Sequence, residues 1–201
     1  KADGSGIEGT LCANFVGLEY TITFNKQEGT GGTDKATVNY KNNNYSVDPV
    51  EVPNRTGYTF GGYYTQADGL GVQVVSAEGH WVTNATGYTD ADGKWLVHEN
   101  TTLYAQWTAN EYTVTLQHST IAGYGSGGAS SVTATYNAVM PEVVMPTAAN
   151  GYVFMGYFDG EQGAGTQYYN ADGASAHAWD KAEDATLYAH FVKAEITQIT
   201  L

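Results

Sequence analysis

Gly57-Tyr58-Thr59-Phe60-Gly61-Gly62-Tyr63-Tyr64 returns almost unchanged as Gly151-Tyr152-Val153-Phe154-Met155-Gly156-Tyr157-Phe158. Aromatics broken by glycine suit a strand buried against a sheet, with glycine where a bulge or a close backbone approach is needed. Because the block occurs twice, the internal period comes before any question of chemistry.

Working outward from the block, the same order of elements repeats. Upstream, Tyr20-Thr21-Ile22-Thr23-Phe24 alternates apolar and polar residues, as a half-buried strand does, and its counterpart is Tyr112-Thr113-Val114-Thr115-Leu116. A glycine-rich turn follows in each copy (Gly29 to Gly32, Gly123 to Gly128), then a second alternating run, Ala36 to Tyr40 or Val132 to Tyr136. Strand, glycine turn and strand read as a hairpin. Connectors with Pro49 and Pro53, or Pro141 and Pro146, then lead to the aromatic block. Proline keeps these residues out of a central strand, so the connector is expected to cross an edge or end of the sheet, with at most a short helix.

Downstream, Tyr88-Thr89-Asp90-Ala91-Asp92-Gly93 and Tyr168-Tyr169-Asn170-Ala171-Asp172-Gly173 carry an Ala-Asp-Gly turn in a similar frame. Each copy closes with a strand, Thr102-Leu103-Tyr104-Ala105-Gln106-Trp107 or Thr186-Leu187-Tyr188-Ala189-His190-Phe191. Leu103, Ala105 and Trp107 share one face of that strand and are expected in the core, as are the aligned Trp95 and Trp179. Tyr64 to Tyr88 spans 24 residues and Phe158 to Tyr168 spans 10, so the first copy carries 14 more. These predict an added hairpin, at about 66–87, where function peculiar to one copy would reside.

The resulting division is an N-terminal extension (1–19), module 1 (20–107), a linker (108–111), module 2 (112–192) and a C-terminal extension or the start of a further module (193–201). The linker Thr108-Ala109-Asn110-Glu111 has no glycine, so it is expected to allow little swing. The fold class is mainly β, α+β at most, with little helix.

Composition narrows the function. A net charge of −13 with 8 Lys plus Arg repels polyphosphate, which argues against nucleic acid and anionic membrane surfaces as partners. Cys12 is the lone cysteine, so no internal disulfide forms, and no apolar run has the roughly 18 residues of a membrane span. Lys1 reads as the start of a mature or excerpted fragment.

Tyr-Thr-Val-Thr, then Gly-Tyr-x-Phe-x-Gly-Tyr, then Thr-Leu-Tyr-Ala-x-Trp resembles the Listeria–Bacteroides repeat, the B-repeat of internalin-like bacterial surface proteins. The resemblance covers Tyr20 to Trp107 and Tyr112 to Phe191. It implies two tandem β-grasp-like modules in secreted or wall-attached proteins, serving as spacers and adhesion modules. The implied partners are neighbouring domains of a larger surface protein. The alternative reading, a carbohydrate- or protein-binding module that takes a host protein or glycan, rests on the exposed aromatics of the added segment in module 1. Where the family has Gly-Trp-Tyr, this chain has Gly62-Tyr63-Tyr64 and Gly156-Tyr157-Phe158, which keeps the aromatic bulk. The family carries no catalytic residues to transfer.

Chemistry-bearing motifs are few. Gly123-Tyr124-Gly125-Ser126-Gly127-Gly128 fits GxGxxG, but a strand-like run follows where a dinucleotide site needs a helix, so it reads as a turn. Asp90-x-Asp92-Gly93 resembles the opening of a calcium loop without its distal ligands, and reads as a turn as well. His80, His98, His118, His177 and His190 lack paired metal spacing. No catalytic residue, metal set or cofactor is assigned. The candidate binding residues, as aromatics for stacking on a sugar ring, are Trp81, which does not recur in the second copy, and Tyr88; together they flank part of the added segment. Packing of the added hairpin is the favoured role for Trp81, with binding as the alternative.

Overall fold

The computed structural model describes residues 18–39, 49–118 and 123–195. Cys12, most of the N-terminal extension, Tyr40 and Ile196 to Leu201 lie outside the described residues. Two compact units are present: Lys1–Pro53 with Gly61–Gln106, and Asn54–Phe60 with Trp107–Leu201.

Each copy of the repeat builds a five-stranded sheet. The first uses β1 (Glu19–Asn25), β2 (Lys35–Asn39), β3 (Tyr58–Tyr64), β4 (Gln73–Val75) and β5 (Thr101–Ala109), in the order β2-β1-β5-β3-β4. The second uses β6 (Glu111–Gln117), β8 (Ser131–Thr135), β10 (Tyr152–Phe158), β11 (Gln167–Asn170) and β12 (Ala185–Lys193), in the order β8-β6-β12-β10-β11. Substituting counterparts turns one order into the other. β1 pairs antiparallel with β2 and parallel with β5, with Ile22 opposite Thr101 and Phe24 opposite Leu103. β6 pairs with β8 and β12 in the same senses, with Val114 opposite Ala185 and Leu116 opposite Leu187. β7 (Gly125–Ser126) and β9 (Thr147–Ala148) form a separate two-stranded pair. No α-helix occurs among the described residues; helical geometry is confined to a 3-10 turn at Glu161–Gly163. The chain is mainly β.

The repeated octapeptide shows why its glycines recur. In a regular strand, Phe154 and Tyr157 would point to opposite faces, because side chains alternate with period 2. Both are buried, at 7% and 0% exposure, and their rings touch with centroids 5.4 Å apart. The register with β12 slips here: Phe154 opposes Phe191 and Gly156 opposes His190, which leaves Met155 as the extra residue of a β-bulge. Gly156 takes φ 130, and a Cβ there would lie 2.1 Å from the Tyr169 carbonyl oxygen. In the first copy Phe60 and Tyr63 are likewise buried, Gly62 takes φ 110, and a Cβ would lie 2.3 Å from the Val75 carbonyl oxygen. The bulge carbonyl has lost its place in the ladder, and a glutamine amide replaces the missing donor: Gln73 Nε2 donates to Gly61 O and Gln167 Nε2 to Met155 O, both at 3.0 Å.

Inside the first sheet lie Ile22, Phe24, Val38, Val50, Val74, Val75, Trp95, Leu103 and Ala105. The second core holds Val114, Leu116, Ala134, Met140, Tyr168, Tyr169, Trp179, Leu187 and Phe191 in one cluster. Trp107 departs from expectation. It is half-buried, with its ring 5.4 Å from Phe60, whereas its counterpart Phe191 is buried. The second connector also differs from an edge crossing. Met140 on it is part of the core cluster, Pro141 O accepts from Tyr169 Oη at 2.7 Å, and Val139 bridges Ala178. The connector is thus held by the buried Met140 side chain and by backbone groups of Val139 and Pro141.

One substitution isolates the bulge. Gly156→Ala adds a Cβ at positive φ into a carbonyl and should lower stability by about 1–3 kcal/mol or more. Gly151→Ala, at φ 82 with open space around the added methyl, should cost clearly less. Chemical denaturation of both variants, followed by tryptophan fluorescence, makes the comparison; equal losses would remove the close approach as the cause.

Candidate functional site

The first unit contains one hairpin that the second lacks, and the candidate site is built on it. From β4 onward the chain makes a tight turn in which Ser76 N donates to His80 O, Gly79 N to Ser76 O, and Val82 N to Val74 O. The same three bonds recur fourteen residues later: Asp90 N to Lys94 O, Gly93 N to Asp90 O, and Leu96 N to Tyr88 O. In the second unit they appear once, as Asn170 N to Ala174 O, Gly173 N to Asn170 O, and Ala176 N to Tyr168 O. Isolated bridges mark the closing pairs, Val75 with Trp81, Thr89 with Trp95, and Tyr169 with Ser175.

This places the insertion differently from the expected 66–87. Gln73 and Gln167 hold equivalent places, as do Trp81 and Ser175, and both offsets are 94; Trp95 and Trp179 are offset by 84. The residues without a counterpart therefore number ten (94 − 84) and lie within 82–94. The likeness between Tyr88–Gly93 and Tyr168–Gly173 is real as turn chemistry, but the place of Tyr168–Gly173 in the sheet is held by Val74–Gly79.

Thr89, 3% exposed, ties the extra hairpin together: its hydroxyl donates to Val82 O and accepts from Ala85 N. Asp90 Oδ1 accepts from Asp92 N at 2.9 Å and Lys94 N at 2.8 Å, and Asp92 pairs with Lys94 at 3.3 Å. The carboxylates of the calcium-like motif thus serve the turn.

Trp81 and Tyr88 are both half-buried and come together on opposite partners of one ring system. Trp95, fully buried, lies 5.8 Å from each, and Trp81 continues to Phe24 at 6.2 Å, which meets Tyr63 at 4.8 Å. Tyr88, Trp95, Trp81, Phe24 and Tyr63 form a continuous aromatic row. Trp81 sits inside it; Tyr88 ends it and lines a surface groove.

That groove, of about 520 Å³, is lined by Gly87, Tyr88, Val97, Glu99, Asn100, Thr101 and Thr102. Asn100 Oδ1 accepts from Thr21 N at 2.8 Å and so pins the edge of β1 to the segment leading into β5. The second unit repeats that bond from Thr113 N to Asp184 Oδ1 at 2.8 Å, beside a hollow of about 190 Å³ lined by Thr113, Thr115, Asp184, Ala185 and Thr186. No aromatic residue lines the smaller hollow. Sequence reading singled out Tyr88 but missed Glu99 to Thr102. The available signal was the alignment of Asn100 with Asp184, each just ahead of the last strand.

The other expected motifs resolve into structure. Gly125–Ser126 of the glycine-rich segment is β7, and a Cβ on Gly128 would lie 2.8 Å from Pro146 N, so that glycine lets the connector approach. His80, His98 and His177 are exposed, while His118 and His190 are half-buried, the latter edge-on to Phe158 at 5.8 Å. Among the described residues, no group of three or more His, Cys, Asp and Glu is placed to hold a metal ion.

Titratable groups serve packing. Burial pushes the Tyr63, Tyr157 and Tyr169 hydroxyls up to about 12. Burial also raises Tyr168, and its hydrogen bond to Asp180 at 2.5 Å raises it further. For Asp159, burial works upward, but the Lys181 ammonium at 3.0 Å and the Thr166 N–H outweigh it, so its carboxyl sits below the usual range.

Two measurements test this account. A tyrosine whose folded pKa is raised stabilises the fold fully below about pH 10, and that stability is lost as pH rises toward 12. Titration at 295 nm should therefore show a tyrosine class that ionises only together with loss of tertiary structure, at about 12; ionisation of every tyrosine with tertiary structure intact would overturn this. Trp81→Ala should lower the stability of the first unit by roughly 2–3 kcal/mol, below the 3–5 of a fully buried aromatic. A loss under about 0.5 kcal/mol in denaturant unfolding would remove Trp81 from the packed row.

Comparison with known proteins agrees with this architecture. The family profile of the Listeria-Bacteroides repeat domain matches residues 20–78. Internalin H of Listeria monocytogenes is 33% identical over 141 residues, which cover 70% of this chain and 20% of that protein. A putative membrane protein of Evansella cellulosilytica is 26% identical over 187 residues, 90% of this chain and 22% of the relative. A putative Gly-rich membrane protein of the same organism is 27% identical over 180 residues, 90% of this chain and 17% of the relative. The chain thus spans about a fifth of the length of these curated relatives. No solved structure matches it. The profile stops short of β5, and the second copy shares the sheet order of the first. The chain carries a Listeria-Bacteroides repeat domain, matched over residues 20–78.

Proposed function

We propose that this chain is a non-enzymatic repeat segment of a bacterial surface protein, where it acts as spacer and adhesion module beside neighbouring domains. The observation that carries the reading is the repeated sheet itself: one strand order made twice from one sequence pattern. Three recurring aromatic pairs, Phe60 with Phe154, Tyr63 with Tyr157 and Trp95 with Trp179, are buried in both copies. The strand order, with its central parallel pair between the first and last strands of each copy, supports the β-grasp assignment of each module.

The similarity to Internalin H supports placement at a bacterial surface, as do the relatives described as membrane proteins. Among the described residues no helix is long and apolar enough to cross a membrane, so attachment is assigned to other parts of a longer protein. A charge of −13 favours solubility of a tyrosine-rich surface and disfavours polyanionic partners.

Protease shaving of intact cells that express the full-length protein tests the location. Peptides from 18–195 should appear in the released fraction together with known surface markers and ahead of cytosolic ones. Release only after lysis would overturn the surface assignment. For the spacer role, the segment is exchanged for an unrelated β repeat of equal length in the parent protein. Retained adhesion of cells supports spacing, and lost adhesion assigns adhesion to this segment itself.

A further inference from the structure

The groove beside Tyr88 belongs to the first unit alone in its present form, and its wall comes from the inserted hairpin. In the second unit the same place, marked by the Thr113–Asp184 bond, is a shallow hollow of about 190 Å³ between a strand edge and a short segment. In the first, Gly87 and Tyr88 rise beside Asn100–Thr102 and enlarge it to about 520 Å³. That lies within the roughly 300–1,000 Å³ range of small-molecule sites. The hairpin is not a floppy addition. Its tip is closed by the Asp90–Lys94 turn, its base turns at the buried Ala85 where Thr89 holds it, and the Tyr88 ring is backed by Trp95 at 5.8 Å. An aromatic wall held this way costs little ordering entropy when a ligand arrives.

The lining decides what fits. One aromatic ring, one carboxylate (Glu99), one amide (Asn100) and two hydroxyls (Thr101, Thr102) surround the space, with Val97 the aliphatic member. Asn100 Oδ1 is engaged by Thr21 N, so the amide presents its Nδ2 as donor, while Glu99 supplies acceptors. No Lys or Arg lines the groove, and an anion would meet the Glu99 carboxylate within a chain already at −13. A flat apolar ring face bordered by mixed donors and acceptors complements a pyranose, which offers an axial C–H face and equatorial hydroxyls. A hydrophobic ligand would strand the polar lining, and a bare cation would leave the amide donor unused.

We propose that the groove formed by Tyr88, Glu99, Asn100, Thr101 and Thr102 binds a neutral glycan, with one pyranose ring against Tyr88 and its hydroxyls bonded to Glu99 and Asn100. The ten-residue insertion is what turns a shared hollow into this site, so binding belongs to the first copy. The proposal does not depend on where the parent protein resides.

The test is titration of the whole chain with three neutral trisaccharides, chitotriose, cellotriose and maltotriose, and with a heparin disaccharide as anionic control, read by amide chemical shifts. Saturable shifts at Gly87, Tyr88 and Asn100–Thr102 with at least one neutral trisaccharide, and none with the heparin disaccharide, are expected. Tyr88→Ala should weaken that binding roughly fivefold to tenfold. Tyr88→Phe, which keeps the ring, should stay within about twofold of the parent, and the exposed Glu99→Gln should weaken binding about threefold to fivefold without changing thermal unfolding. The proposal is overturned if no neutral trisaccharide moves those amides, if the heparin disaccharide binds as tightly as they do, or if Tyr88→Phe and Glu99→Gln match the parent while Tyr88→Ala loses binding only through unfolding.

Discussion

A strand can bury two aromatics three residues apart on one side of a sheet only by breaking its own alternation. Phe60 with Tyr63, and Phe154 with Tyr157, do this through an added residue, and the added residue is tolerable because glycine follows it. The positive φ of Gly62 and Gly156 and the absence of a Cβ let β4 and β11 approach their partner strands. A second register slip follows at once, between Tyr63 and Tyr64 or Tyr157 and Phe158, and it lets adjacent residues face inward: Val74 with Val75, and Tyr168 with Tyr169. Each slip therefore adds an inward-facing side chain that regular alternation would turn outward. The glutamine amides that serve the bulge carbonyls complete the device in both copies.

The edge beyond this bulge is where the two copies diverge. One local hairpin, closed by three backbone bonds within nine residues, appears once in the second unit and twice in the first. Because the bonds are local, doubling the hairpin leaves the register of the five main strands untouched. In the first unit the residues that close the two hairpins are both tryptophans, and Trp81 and Trp95 share a T-shaped contact. Packing and site formation are thus one event: the side chains that bury the extra hairpin also back the wall of the groove.

Much of the architecture was legible in the chain because it is encoded by periodicity. Alternation in Tyr20–Phe24 and Thr102–Trp107, and the repeated octapeptide, lead to strands, to a mainly β fold and to the glycine bulge. What escaped reading depends on geometry that composition does not carry. Ala-Asp-Gly marks a turn type, not a place in a sheet, so matching Tyr88–Gly93 to Tyr168–Gly173 displaced the insertion by a hairpin. Trp107 holds the same place in β5 as the buried Phe191 does in β12, so its partial exposure depends on neighbours distant in sequence. Nothing in the sequence singles out Glu99 to Thr101, and with Thr102 they line a groove beside Tyr88 only because the inserted hairpin folds next to them.

The self-contained hairpin at the rim has a bearing on protein engineering. Between Ser175 and Trp179 the second unit keeps the shorter version of a connection that the first unit has already lengthened by ten residues without altering its sheet order. Natural lengthening at the equivalent point marks this junction as a graft position for a foreign loop, such as an epitope or a protease-cleavable tag. The strands on either side would provide a rigid frame for its display.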